Sequence, residues 1–259
     1  MARHAIVLAV VEIRYEAPIT AVDQSVALAV REALRKAEYD FPVINKAVQG
    51  ELTVEVHNGQ AKATTTEEHQ GWELVDPDRQ MSISLAPDRV AIQTQLYDHY
   101  SATFLPVLEA LLPAVQARIG PELRHRVGLR YVNRYSEPAV RTPADWDGLI
   151  SDWLLGPVAN NPLAATIRQA HQQLVLAADD GLGAVVRHGP FDDPATGGCS
   201  YLWDLDVYND STETFAPAAL LQLLRQANIF AAKTWKASVT SDYLKDLGIE
   251  DKSGEEETQ

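Results

Sequence analysis

The chain has 259 residues, enough to bury a sizeable core as one domain or as two halves sharing a sheet, and its 46% hydrophobic and 22% charged make-up is that of a globular protein. A formal net charge of −14 disfavours generic nucleic-acid binding, which needs a basic face. The single cysteine, Cys199, excludes an internal disulfide and a multi-thiolate metal site, and the early apolar run Ala5 to Val11 is too short for a membrane span or a secretory leader, so a cytosolic protein with no membrane partner is expected.

Residues 5–16 (AIVLAVVEIRYE) open as an apolar run and end in alternating charge, which predicts a strand stopped by Pro18. Thr20 and Asp23 are candidate N-caps for a helix over 22–38 with Val22, Val26, Val30, Ala33 and Leu34 on one stripe. Strands are predicted at 46–56, 62–75, 79–85 and 89–98, separated by turn chemistry at Asn58-Gly59, Asp76-Pro77-Asp78 and Pro87-Asp88. A helix over 100–119 follows, closed by Gly120-Pro121.

The pattern then restarts. A strand at 122–135 leads to Thr142-Pro143, a cap-plus-proline signal for a helix to Leu155. Strands follow at 164–178, 183–189 and 200–208, with Gly189-Pro190-Phe191-Asp192-Asp193-Pro194 read as a surface loop. Helices over 216–238 and 240–247 close the order. The openings Arg14-Tyr15-Glu16-Ala17-Pro18 and Arg134-Tyr135-Ser136-Glu137-Pro138 are alike. The expectation is an α+β fold: an antiparallel sheet with helices packed on one face, built from two pseudo-repeated β-α-β(3–4)-α halves at 1–120 and 121–247. Residues 248–259, with Glu250, Asp251, Glu255, Glu256 and Glu257, are expected to form an acidic disordered tail.

The strand at 122–135 carries the sharpest signal. Alternation puts Arg124, Arg126, Arg130 and Arg134 on one face, opposite Val127, Leu129, Tyr131 and Tyr135. Four arginines cannot enter an apolar core unpaired, so this face is solvated, paired with acids, or turned to a ligand. Glu12, Arg14 and Glu16 share one face of the first strand, and Asp204 and Asp206 one face of the strand Tyr201 to Val207. Neighbouring strands would make these a self-paired charge lattice. The same forks also suit a carboxylate or phosphate from a partner, which makes Arg126, Arg130, Arg134, Asp204, Asp206, Glu12 and Arg14 the candidate binding residues.

Other chemistry is thin. Asp204-x-Asp206 has a spacing that suits magnesium but lacks a third acid and a phosphate-cradling loop. Cys199 beside a glycine pair, with His188 upstream, reads as a small buried residue more readily than as a nucleophile. The histidines are scattered, and no dinucleotide, phosphate-loop, esterase or zinc-protease motif occurs. No catalytic residue, metal or cofactor is therefore assigned.

Three segments together, Val11-Glu12-Ile13-Arg14-Tyr15-Glu16, Val127 to Arg134 (VGLRYVNR) and Leu202 to Tyr208 (LWDLDVY), with the closing helix and Lys245-Asp246-Leu247-Gly248, resemble a sporadically distributed family of bacterial and archaeal proteins of this length. The resemblance spans nearly the whole chain and implies no assigned catalytic residue. The family's patchy distribution implies an association with defence or mobile-element cargo. Three readings follow: a non-enzymatic module for a protein partner, a sensor or enzyme for a small anion such as a nucleotide, and a homodimer with a self-satisfied charged face.

Overall fold

In the computed structural model, residues 6–57, 60–159, 162–178 and 181–248 are described, without side-chain detail at 48–70 and 165. The acidic segment 249–259 and the Asn58-Gly59 turn lie outside the described residues. The elements, in chain order, are β1 (Ile6–Tyr15), α1 (Gln24–Lys36), β2 (Val43–His57), β3 (Gln60–Asp76), β4 (Met81–Ala86), β5 (Arg89–Thr94), α2 (Tyr100–Thr103), α3 (Leu105–Arg118), β6 (Leu123–Tyr135), α4 (Asp152–Leu155), β7 (Gln172–Ala177), β8 (Gly183–Asp193), β9 (Gly198–Asn209), β10 (Glu213–Thr214), α5 (Pro217–Ser238) and α6 (Ser241–Asp246). The strands form one antiparallel ten-stranded sheet in the order β2-β3-β4-β5-β1-β6-β9-β8-β7, with β10 pairing β6. This is the expected α+β architecture. β1, β6 and β9 are consecutive in the order, as the charge-lattice reading requires.

The chain divides into two compact units. The first comprises Val10–Gly128 and Asp210–Leu223; the second comprises Met1–Ala9, Leu129–Asn209 and Leu224–Gln259.

In the first unit, alternation does what the sequence dictates. Val11, Ile13 and Tyr15 of β1, Ile83 and Leu85 of β4, and Val90 and Ile92 of β5 are buried, while their neighbours along each strand are more exposed. Of the two candidate caps, Asp23 starts α1, accepting the Val26 N–H at 3.1 Å. Ala27, Val30 and Leu34 then face inward. Trp72 Nε1 donates to the Val22 carbonyl at 2.8 Å, fastening β3 to the approach to α1. The helix expected over 100–119 is interrupted at Phe104, which is the junction of α2 and α3.

In the second unit, α5 covers one face of β6 and β9. Tyr131 Oη donates to Asn228 Oδ1 at 2.9 Å, Trp203 Nε1 donates to Ser238 Oγ at 3.0 Å, and Trp235 Nε1 donates to Tyr135 Oη. Buried indole and phenol groups need such partners, so these bonds fix the helix along the strands as well as satisfying them.

Three elements differ from expectation in this unit. The helix predicted from Pro143 to Leu155 is two short pieces, a 3₁₀ turn at Pro143–Trp146 and α4. Gly148 lies between them at φ +77°, a left-handed conformation that ends a helix, and Ile150 instead bridges to Val239. The predicted strand 164–178 begins only at Gln172, after a 3₁₀ turn at Ala164–Thr166. The predicted loop 189–194 is mostly strand: β8 runs to Asp193, pairing Pro190 with Tyr201 and Asp193 with Gly198. Pro190 contributes only its carbonyl, which the Ala170 N–H reaches at 3.1 Å. No helix among the described residues is long and apolar enough to cross a membrane.

Candidate functional site

The face of the second unit turned away from α5 carries the charged residues. Along β6, Leu129, Tyr131 and Tyr135 are buried, whereas Arg130 is exposed and Val132 and Arg134 are half-buried. Along β9, Tyr201, Trp203, Leu205 and Val207 pack inward, which puts Leu202, Asp204, Asp206 and Tyr208 on the opposite face.

Asp204 is the centre of this face. Its two oxygens accept from Arg130 Nε at 2.7 Å and Nη2 at 2.8 Å, a bidentate fork. Arg187, directly opposite Asp204 in the β8–β9 ladder, brings Nη1 to 3.6 Å of Oδ2. The Asp204 side chain is 5% exposed, but those of Arg130 and Arg187 are 45% and 43% exposed. A nearly buried carboxylate therefore holds two guanidiniums whose outer edges face solvent. The hydrogen bonds to Asp204 outweigh the cost of burial and, with the fields of Asp204 and Asp206, hold Arg130 even more firmly protonated than a free arginine.

Arg134 pairs with Asp193 at the end of β8. The Asp193 carboxylate also accepts from Ser200 Oγ at 2.6 Å and from the Ala195 N–H at 3.0 Å, and Ser136 Oγ lies 2.7 Å from Ser200 Oγ. Burial opposes ionisation of Asp193, but the bonds from Ser200, Arg134 and Ala195 prevail and its pKa falls below the usual aspartate value. Asp193 thus ties β6 to the β8–β9 turn. Asp193→Ala is expected to cost about 2 kcal/mol, the loss of a buried partner discounted for the half-exposed arginine, measured by urea unfolding.

The remaining predicted residues belong to the first unit. Arg14 Nε donates to Glu12 Oε1 at 2.7 Å along one strand, an exposed pair of small energetic weight. Arg126 Nη1 donates to Asp210 at 2.8 Å. Arg124, on the same strand, is 4% exposed; its Nη1 donates to the Ser211 carbonyl at 3.0 Å and its Nη2 lies 2.8 Å from Glu213 Oε2. The two-residue strand β10, invisible to periodicity, supplies that partner. Each of the four β6 arginines therefore has a carboxylate partner, but only Asp204 is one that the charge-lattice reading names; Glu213, Asp210 and Asp193 are not, and Glu12 pairs along its own strand. Sequence reasoning missed Arg187, Asp193 and Asp210; Arg187 stands one turn of alternation from Val185 in an apolar strand, and that was the available signal.

Other sites considered resolve structurally. Both Asp204 oxygens are spent on Arg130, so Asp204-x-Asp206 does not present an open pair of carboxylates. Cys199 is buried, and burial pushes its thiol pKa up, the opposite of nucleophile activation. His188, 1% exposed, engages Tyr201 Oη through Nδ1 at 2.8 Å. A cleft of about 410 Å³ in the second unit is lined by residues that include Glu137, Asp145, Asp147, Tyr243 and Asp246, and by none of the predicted site residues. Two of its acids are already occupied: Asp145 accepts the N–H groups of Arg141 and Thr142, and Glu137 accepts from Tyr243 Oη at 2.9 Å.

Compared with known protein families and with curated proteins, the chain matches none. The reading of function rests on its own residues.

Proposed function

We propose that the protein is a non-enzymatic binding module whose docking surface is the open sheet face of the second unit, centred on Arg130, Arg187 and Asp204 and flanked by Asp206 and Arg134. The observation that carries this is the half-exposed pair of guanidiniums anchored on one buried carboxylate. Arg130 spends Nε and one Nη2 hydrogen on Asp204, and its side chain still stays 45% exposed with donors to spare. Anchoring removes much of the side-chain freedom that binding would otherwise have to freeze, and arginine so held is a common energetic centre of protein interfaces. Val132, Leu202 and Val185 lie half-buried on the same face, and Val175 on β7 is 67% exposed, so apolar area surrounds the charges. The complementary group is a carboxylate on a partner polypeptide.

A free small anion is the weaker reading. Asp204 and Asp206 balance Arg130 and Arg187, and Asp193 balances Arg134, so this face holds no excess of cations to attract a nucleotide. The test is affinity capture with the full-length protein and with Arg187→Glu, read by proteomics and by small-molecule mass spectrometry. A stoichiometric protein captured by the original chain, and reduced at least tenfold by Arg187→Glu at unchanged thermal stability, supports the reading. Capture indifferent to the substitution, or a nucleotide in place of a protein, overturns it.

A further inference from the structure

In the second unit the sheet ends at β7, which pairs β8 on one side and no described strand on the other. At its two ends the Ala170 N–H reaches the Pro190 carbonyl at 3.1 Å and the Ala178 N–H reaches the Leu182 carbonyl at 2.9 Å, in the same register as the ladder between them. The even-numbered residues therefore turn their backbone groups to β8. Antiparallel alternation then turns the N–H and C=O groups of Gln173, Val175 and Ala177 outward. These groups have no backbone partner among the described residues, and all three residues are exposed, Val175 at 67%.

A strand edge that must stay single is usually blunted by charge, by proline or by a bulge. β7 has none of these: Gln172–Ala177 reads QQLVLA and pairs β8 without a register shift. At the other end of the strand order, β2 carries Lys46, Glu51 and Glu55 and a register shift at Ala47/Val48. Charge also bears on the occupant. Two copies of a chain with net charge −14 repel, so they can meet only through a neutral or complementary surface, and β7 is neutral along its whole length.

The edge is matched to itself as well. Its outward groups are symmetric about Val175, so a second β7 running antiparallel meets all of them when the twofold axis passes through Val175. Val175 then faces its own counterpart and Gln173 faces Ala177, each pair exchanging two backbone hydrogen bonds. A slip of one residue would set outward groups against groups already spent on β8. In the symmetric register Leu174 lies beside Leu176 of the other copy, on the face where their β8 partners Val186 and Ala184 are buried. Both leucines are only half-buried in one chain, so pairing removes apolar surface from water as well as closing the edge.

We propose that β7 is a homodimer edge, through which the second units of two copies join in one continuous antiparallel sheet about a twofold axis at Val175. A single six-residue strand is small against the roughly 1,200–2,000 Å² of a stable interface, so the dimer is reversible, with a dissociation constant on the order of 10 μM. The proposal rests on no property of the arginine face, although each dimer carries that face twice.

The test is sedimentation velocity of the full-length chain from about 1 to 200 μM, a range that brackets the expected constant. A monomer–dimer equilibrium is expected, its dissociation constant raised at least about tenfold by Val175→Lys, which sets two lysines against each other at the axis. Because Val175 is largely exposed, the variant should keep the thermal midpoint of the original chain at about 1 μM, where both are chiefly monomeric. Register is read from two added cysteines treated with diamide, which takes up the two thiol hydrogens as the disulfide forms; the natural Cys199 is buried. Val175→Cys should give an interchain disulfide, because the Cα atoms of a hydrogen-bonded pair lie about 5.5 Å apart, inside the disulfide range. Gln173→Cys would stand about 13 Å along the strand from its counterpart and should give at least about fivefold less. A chain that is monomeric at every concentration overturns the proposal and leaves the edge to a strand of another protein. So does a dimer indifferent to Val175→Lys, or equal crosslinking by the two cysteines.

Discussion

Gly189→Ala is expected to lower the unfolding free energy by about 4 kcal/mol, a strained backbone and an overpacked contact acting together. Gly189 sits at φ +147°, and an added Cβ would stand 1.9 Å from the Ala170 carbonyl oxygen, a backbone atom that cannot rotate away. The residue lies on β8 two positions after Arg187, where the strand passes the segment that enters β7. Relief of the clash requires displacing either backbone, and either movement disturbs the ladder that puts Arg187 opposite Asp204. Urea unfolding of the variant should show a large fall in midpoint, and partner capture should fall with it. Gly189→Ala with stability within about 1 kcal/mol of the original would contradict this account of the β7–β8 junction.

Stability is also expected to fall on mild acidification, because of His188. Burial lowers its pKa from the ordinary value of 6.5 to about 4. Folding therefore favours the neutral ring. Above pH 6.5 both folded and unfolded chains carry it neutral and the full stability is present. As pH falls from 6.5 towards 4, the unfolded chain takes up the proton and the folded chain does not, and stability declines by about 1.4 kcal/mol per pH unit, roughly 3 kcal/mol across the window. Nδ1 meets the neutral Tyr201 hydroxyl at 2.8 Å and Nε2 is buried with no hydrogen-bond partner among the described residues, so no carboxylate is hydrogen-bonded to the ring to offset the cost of a buried charge. His188→Gln should flatten the profile between pH 6.5 and 4. The depressed Asp193 contributes elsewhere: its stabilisation is present above the ordinary aspartate value near 4 and is lost only as pH falls further through its lower folded value. A profile with no slope between pH 6.5 and 4 would contradict the burial of an uncharged His188.

The fold was legible where period and punctuation agreed. Alternation in Leu123–Tyr135 separated the arginine face from the tyrosine face, and the buried set Val127, Leu129, Tyr131 and Tyr135 follows it. Asp23 and the apolar stripe behind it located α1 within two residues at each end. Errors arose where proline and glycine were read as stops. Pro190 and Gly189 lie inside β8 because Gly189 reaches a backbone angle closed to other residues and Pro190 presents its carbonyl to Ala170. Thr142-Pro143 does start a helical turn, but Gly148 ends it within one turn, so the second half does not repeat the β1–α1 opening of the first.

The candidate site was legible as a set of charges and not as a set of pairs. The sequence places Arg130 and Asp204 each on a strand face, but only strand order and register decide that they meet, and that Arg187 joins them from the other side. Register is fixed by long-range packing of the buried faces, here Trp203 and Tyr131 against α5, which no local pattern reports. Asp193 was hidden for the same reason: a residue assigned to a loop is a strand end that receives Arg134 and Ser200.

The most direct measurement of the central claim is arginine-selective modification of the captured complex, with site-resolved mass spectrometry in the presence and absence of the partner. The account predicts that Arg130 and Arg187 are modified in the free protein, because each is nearly half exposed, and protected at least several-fold in the complex, while the exposed Arg35 on α1 reacts equally in both. Equal reactivity of Arg130 and Arg187 with and without the partner would show that docking occurs elsewhere and contradict the account.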